Sequence, residues 1–357
     1  MDLEDLRRQI DDIDREIVER LDERVRLASE IGHIKNQSGA PIYVPSRQEE
    51  VFRRVAGHNR GHLTDDAIRA IYSEIISAAI ALEKPLKIAY LGPEATYTHM
   101  ASLRHFGRSV EYLPLATIQH VFATVKRGEA DYGVVPVENS TQGTVITTLD
   151  MLMETELTIV AQRMMEISHC LISQSPLDKI TAVYSKDNAL GQCREWLARK
   201  LPGVDLVDCN STAHAVELAK ENPTYAAIAS KGAAELYDVP VVEEGINDKF
   251  DNVTRFLVIG THSGPPSKSC ADKTTIVFTL PDNSPGALIK ALFPLSMRGI
   301  NISKIESRPS RRKLWDYYFY VDVTGHRDDQ KLGEALKELE EYCPFMRWLG
   351  SYPDTTG

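Results

Sequence analysis

Residues 3–36 read LEDLRRQIDDIDREIVERLDERVRLASEIGHIKN, and this stretch decides the first part of the fold. Leu6, Ile10, Ile13, Ile17, Leu21, Ala28 and Ile31 recur at spacings of three, four or seven, the period of one helix face. No Pro or Gly interrupts the run before Gly32. About 32 residues at 1.5 Å each make a rod roughly 48 Å long, whereas a compact domain of about 90 residues has a radius of gyration near 12 Å. Such a rod outgrows its own domain, so a second copy of the chain is expected along it, in a dimer or tetramer. On a helical wheel Arg24 and Lys35 fall inside the apolar sector, with Arg7 at its edge. Cations in such positions cost several kcal/mol unless paired. Two in one stripe, with Arg47 soon after, point to a buried site for a small dianion.

Outward from this helix, Gly39, Pro41 and Pro45 break the pattern, and 46–55 and 65–83 give two more helices. The first domain is therefore all-α and spans 1–86. At Lys87 the texture changes to short apolar runs, each ending in polar or glycine-rich residues: KIAYLGPEA, DYGVVPVENS, AVYSKDNA, YAAIAS and RFLVIG. Runs of this kind alternating with helical segments signal an α/β domain, here 87–263. A second change follows the loop THSGPPSKSCADK. Strand, helix, strand, strand and helix then alternate as a βαββαβ module of the α+β class over 272–353. The expected architecture is multidomain.

A net charge of −10 disfavours nucleic acid and anionic lipid as partners. No run approaches the ~20 apolar residues of a membrane span, and the opening MDLEDLRRQIDD is too charged for a secretory signal, so a cytoplasmic location is expected. Cys170, Cys193, Cys209, Cys270 and Cys343 contain no C-x-x-C pair and read as reduced packing residues. The absence of G-x-G-x-x-G, Walker A and H-E-x-x-H patterns leads us to expect no cofactor and no metal.

In α/β sheets ligands bind at the carboxyl ends of strands, where this chain places three polar clusters. Glu138-Asn139-Ser140-Thr141 follows Val-Val-Pro-Val, Thr96 opens a helix after Gly92-Pro93-Glu94-Ala95, and Thr254-Arg255 follows Asn252-Val253.

Residues 3–85 resemble the all-α chorismate mutases through Leu6-Arg7, Glu23-Arg24, Gly32-His33-Ile34-Lys35 and Pro41 to Arg47. That resemblance implies a cofactor-free pericyclic rearrangement of chorismate. Arg24, Lys35 and Arg47 hold the carboxylates and ether oxygen, and Arg7 reaches into the partner subunit's site. Glu83 stands where the family carries Gln or Glu, and it must be protonated to donate to the ether oxygen. Gln48 stands where many relatives have Glu, and Val44 where many have Asp; Gln48 is expected near the substrate hydroxyl.

Residues 87–262 resemble the prephenate dehydratases through Thr-Arg-Phe and Val-Val-Pro-Val-Glu-Asn, with support from Ile167-Ser168-His169-Cys170-Leu171 and Tyr184-Ser185. The implied fold is two α/β lobes around a cleft, like type II periplasmic binding proteins. The implied reaction turns prephenate into phenylpyruvate by loss of carbon dioxide and hydroxide. Arg255 is expected to pair with the side-chain carboxylate. Thr254 is expected to donate to the departing hydroxyl, with Glu138 the alternative proton source and Asn139, Ser140, Thr141 and Thr96 around the substrate. Ala95 stands where Gly is common, and Lys186 where His is common.

Residues 272–353 resemble the ACT regulatory domains through Ser284-Pro285-Gly286-Ala287-Leu288 and Glu306-Ser307-Arg308-Pro309, two loops expected to bind phenylalanine between paired modules. In this order the resemblances imply a bifunctional chorismate mutase/prephenate dehydratase inhibited by phenylalanine. The alternatives are a dehydratase with an inactive mutase domain, or a cleft-type sensor that binds prephenate and returns it unchanged.

Overall fold

The computed structural model describes residues 2–38, 41–249, 251–267, 271–281, 284–310 and 317–355. Gly39, Cys270 and the Trp315-Asp316 start of one expected strand lie outside them.

The helical part is α1 (Leu3–Ser38), α2 (Pro45–Ala56) and α3 (Asp65–Glu83). Pro45 suits the first turn of α2, and the Thr64 side chain caps α3 by accepting from the Ala67 N–H at 3.2 Å. The N-terminal half of α1 is exposed on all sides. Leu6, Ile10, Ile13 and Ile17 are 47% to 57% exposed, although they form a regular apolar face.

The first lobe of the α/β part runs β1 (Lys87–Leu91), α4 (Tyr97–Phe106), β2 (Glu111–Leu115), α5 (Ile118–Lys126), β3 (Tyr132–Asn139), β4 (Gly143–Thr144), α6 (Ile146–Glu154) and β5 (Thr158–Glu166). The chain then crosses to a second lobe: β6 (Cys170–Ser173), β7 (Ala182–Ser185), α7 (Asp187–Gln192), α8 (Arg194–Lys200), β8 (Asp205–Asp208), α9 (Thr212–Glu221), β9 (Tyr225–Ala229), α10 (Lys231–Tyr237) and β10 (Val241–Glu244). It returns as β11 (Val253–Gly260), which inserts antiparallel between β3 and β5. The first sheet is ordered β2-β1-β3-β11-β5 with β4 on β3, and the second β10-β6-β9-β7-β8. Two crossing segments therefore join two lobes, and β11 places its first residues where they meet.

The third part is β12 (Asp272–Thr279), α11 (Ala287–Met297), β13 (Ile302–Pro309), β14 (Tyr317–Thr324), α12 (Gln330–Glu341) and β15 (Phe345–Pro353), a sheet ordered β13-β14-β12-β15. Strand alternation sends Ile276, Phe278, Val321 and Val323 into a core with α11 and α12. It sends Val277, Tyr320 and Tyr352 into one core with Val135, Val137 and Leu257 of the first lobe. Gly350 permits the contact: a Cβ there would lie 2.2 Å from the Ile159 carbonyl oxygen. No helix among the described residues is long and apolar enough to cross a membrane. Cys170 and Cys193 are buried and Cys209 and Cys343 half-buried, all as free thiols.

Candidate active sites

In the helical part, Gly32 on α1 makes room for Glu83 at the end of α3; a Cβ at Gly32 would lie 2.6 Å from Glu83 Oε2. Burial pushes the Glu83 carboxyl above its ordinary range, with Lys35 opposing. Its Oε2 is buried without a hydrogen-bond partner among the described residues, and so is Nη1 of Arg24. Lys35 gives Nζ to the Ile42 carbonyl at 2.8 Å. A wall with an unpaired acid and an unpaired guanidinium has hydrogen-bonding capacity that a ligand can take up. Arg47 is exposed and paired with Glu50 at 2.7 Å, and Arg7 with Glu4 at 3.6 Å. Gln48 departs from expectation. Its Nε2 donates to the His105 carbonyl at 3.2 Å, because its side of α2 packs on the first lobe, where the Tyr43 hydroxyl meets His105 Nε2 at 2.5 Å. Burial, helped by Arg163 and Arg69, pushes His105 down to about 3 and keeps that ring neutral.

Between the lobes, Thr254 stands opposite Asn139 in the β11–β3 register and is 9% exposed. Asn139 Nδ2 donates to Thr254 Oγ1 at 2.9 Å and to Asn252 Oδ1 at 2.7 Å. Asn139 Oδ1 accepts from the Thr141 and Gln142 N–H groups, each at 3.0 Å, and from the Thr141 hydroxyl at 2.7 Å. From the second lobe, Gln192 Oε1 accepts from Asn252 Nδ2 at 2.9 Å and meets His169 Nε2 at 2.8 Å, while its Nε2 reaches Thr141 Oγ1 at 3.2 Å. Burial lowers His169 below the usual imidazole range, with Gln192 opposing, so the ring donates as a neutral group. Next to this network lies a cavity of about 470 Å³, lined by Thr141, Gln192, Asn252, Asn247, Arg194 and Lys249 among others. Gln192 and Asn247 carry no motif in the sequence; they enter only because the crossing segments fold the second lobe over the first.

Four expected residues serve elsewhere. Arg255 follows Thr254 on an extended strand and so points to the opposite face. It is 7% exposed; Nη1 lies 2.5 Å from Asp322 Oδ2, and Nη2 donates to the Tyr352 hydroxyl at 2.7 Å. Burial works against its charge, yet Tyr352 and Asp322 together hold the guanidinium above its ordinary value. Glu138 shares that face and pairs with Lys304 at 2.8 Å. The Thr96 hydroxyl caps α4, accepting from the His99 N–H at 3.3 Å and donating to Pro93 O at 2.9 Å. The Ser140 hydroxyl is spent on Asp251 O at 2.8 Å and the Val253 N–H at 2.9 Å.

The expected effector loops divide likewise. Glu306 Oε2 accepts from Thr144 Oγ1 at 3.0 Å and Arg308 lies 3.2 Å from Asp150, so both face the first lobe and not a free pocket. Ser307 and Pro309 alternate with them and are exposed, and Gly286 opens α11 with a left-handed φ of 82° next to Ala287 and Leu288.

Residues 6–84 match the family model for chorismate mutase type II, 88–264 that for prephenate dehydratase, and 274–341 that for the ACT domain. The bifunctional chorismate mutase/prephenate dehydratase of Aquifex aeolicus is 46% identical over 357 residues, covering 99% of this chain and 98% of its own. That of Pseudomonas aeruginosa is 40% identical over 358 residues, covering 98% and 97%. A solved structure of prephenate dehydratase from Arthrobacter aurescens, in complex with L-Phe, has a TM-score of 0.70 at 34% identity over 75% of this chain and 90% of its own. The molecule is thus an isomerase joined to a lyase, with an ACT domain at its end. It belongs to the bifunctional chorismate mutase/prephenate dehydratase family and carries both enzymatic domains.

Proposed function

We propose that the chain forms prephenate with Arg24, Lys35 and Glu83, eliminates carbon dioxide and hydroxide from it with Thr254, and is inhibited by phenylalanine. The three working units are 1–86, 87–263 and 272–353.

The observation that carries the dehydratase reading is the bond from Asn139 Nδ2 to Thr254 Oγ1. With Asn139 donating, the threonine hydroxyl is oriented to donate a hydrogen bond to the hydroxide as it departs and charge develops in the transition state. Glu138 is tied to Lys304 and drops out as the proton source. Arg194 and Lys249 take over the carboxylate-binding task first given to Arg255.

In the mutase, Arg24 and Lys35 hold the substrate carboxylates and Glu83, protonated, donates to the ether oxygen. Arg47 and Arg7 close the site from the helix break and from a second copy. That copy lies along α1. Burying the half-exposed Leu and Ile side chains contributes about 0.7–1.5 kcal/mol each, half the value for a fully exposed one, against an association cost of about 4–15 kcal/mol.

Phenylalanine binds near Gly286, Ala287, Leu288 and Ser307. The strand β13 carries the signal, since its alternate residues Lys304, Glu306 and Arg308 grip Glu138, Thr144 and Asp150. A relative dehydratase crystallised with L-Phe supports this reading.

The test is incubation with chorismate while prephenate and phenylpyruvate are followed separately, with and without phenylalanine. Prephenate formation without phenylpyruvate overturns the dehydratase assignment. Equal rates with and without phenylalanine overturn the regulatory one.

A further inference from the structure

Two cavities lie side by side where the helical part meets the first lobe, sharing Asp66, Arg69 and Arg163. The smaller, about 380 Å³, is walled by α3, by α4 with the loop after it, and by β5. Four guanidiniums line it, those of Arg69, Arg104, Arg108 and Arg163, against the carboxylates of Asp66 and Glu74.

The charges do not cancel pair by pair. Arg69 is held by Glu49 through two bonds of 2.8 Å, and Glu74 Oε2 accepts the backbone N–H of Arg108 at 3.0 Å. Arg163 Nε is buried with no hydrogen-bond partner among the described residues, and the Arg104 and Arg108 side chains have neither a hydrogen bond nor an ion pair there. Burial disfavours the charge on Arg163, and Arg69 and Arg104 add to that, with Glu49 and Asp66 opposing. Arg163 Nε, a desolvated donor, is costly until an acceptor arrives, whereas Arg104 and Arg108 are exposed and keep their hydration. Arginine forks match carboxylates two bonds at a time. The volume falls in the range of about 300–1,000 Å³ usual for small-molecule sites. Because the guanidiniums come from three different walls, they suit a ligand with two separated charged ends better than one compact ion.

We propose that this cavity binds a small dicarboxylate, the chemical class that both reactions of the chain handle, at a station outside either catalytic site. None of its residues belongs to the mutase or dehydratase machinery.

The test is arginine footprinting of the full-length chain with phenylglyoxal, read peptide by peptide by mass spectrometry. One arm contains phthalate, a dicarboxylate that neither reaction turns over, and a second arm inorganic phosphate. Phthalate at about ten times its dissociation constant should slow modification of Arg104 and Arg163 about tenfold, while exposed Arg54 reacts as before. Arg163→Gln should abolish the protection of Arg104 and leave the kcat of both reactions unchanged. Should that variant fail to fold, Arg104→Gln with Arg163 as the reporter makes the same test. Unchanged reactivity of Arg104 and Arg163 in saturating phthalate overturns the proposal, as does equal protection by phosphate, which would mean a site for any anion.

Discussion

The helical part and the cleft handle their polar groups in opposite ways. Around Glu83 and Arg24, buried polar atoms are left without partners, and the apolar face of α1 lies open. Around Thr254, donor and acceptor are matched across two lobes of one chain, from Asn139 through Asn252 to Gln192 and His169. Under the proposed function, the unmet hydrogen bonds await substrate and the uncovered isoleucines await a second copy, so one chain does not complete this site. A matched network marks one that it does. The two activities should therefore respond differently to changes in assembly and in single residues.

The sharpest break comes from Ile13→Glu with Ile17→Glu, which puts two charges on the face assigned to a second copy. Sedimentation should show smaller assemblies, and mutase turnover should be lost while prephenate is still consumed. Retained mutase activity in a monomer would erase the contrast.

Conversely, Thr254→Ala should lower dehydratase kcat by about 10²–10³-fold, the usual effect of removing one donor aimed at developing charge. Mutase rates on chorismate should not move. A change in KM alone would show that the hydroxyl binds and does not assist departure.

Between these extremes lies the joint with the regulatory module. Asp322→Asn leaves Arg255 buried without its counter-charge, a change of about 3–5 kcal/mol in buried pairs. Thermal unfolding should show the dehydratase and regulatory parts melting earlier, with phenylalanine inhibition weakened. An unaltered melt would mean that Tyr352 and Glu138 suffice.

That joint also shows where a sequence stops being readable. The helix of residues 3–36 was legible because its apolar period is long and uninterrupted, and Arg24 and Lys35 stood out against it. Thr254 and Arg255 are adjacent on a strand buried on both faces, so no polar and apolar alternation says which side faces the cleft. Glu306 and Arg308 differ: β13 alternates between an exposed and a covered face, but its covered face carries charged residues that only the docked first lobe explains. Gln192 and Asn247 reach the cleft by tertiary contact alone.

Glu83 sharpens the comparison through pH. Its carboxyl is raised by burial and must carry a proton to donate, so mutase activity should fall about tenfold per unit once pH exceeds its pKa. Glu83→Gln keeps a donor at every pH, and the alkaline limb should vanish while the dehydratase profile stays. An identical limb in both proteins would assign the proton elsewhere.

The smallest effect is expected at Ala95, which holds a left-handed φ of 59° in the first-lobe loop between β1 and α4 that packs against the second lobe. Ala95→Gly should remove that strain and stabilise the dehydratase part by up to about 1 kcal/mol, measured by denaturant midpoint. A lower midpoint would show that its buried methyl packing in the second lobe matters more.

The bare length of α1 has one more consequence. If a second copy must lie along it, the first reaction follows a mass-action law in the enzyme itself, whereas the second does not. Diluting the protein would then slow supply before it slows consumption, and the ratio of the two rates would act as a gauge of how much enzyme is present. A preparation too thin to assemble would never be flooded with its own intermediate; it would fall silent from the upstream end.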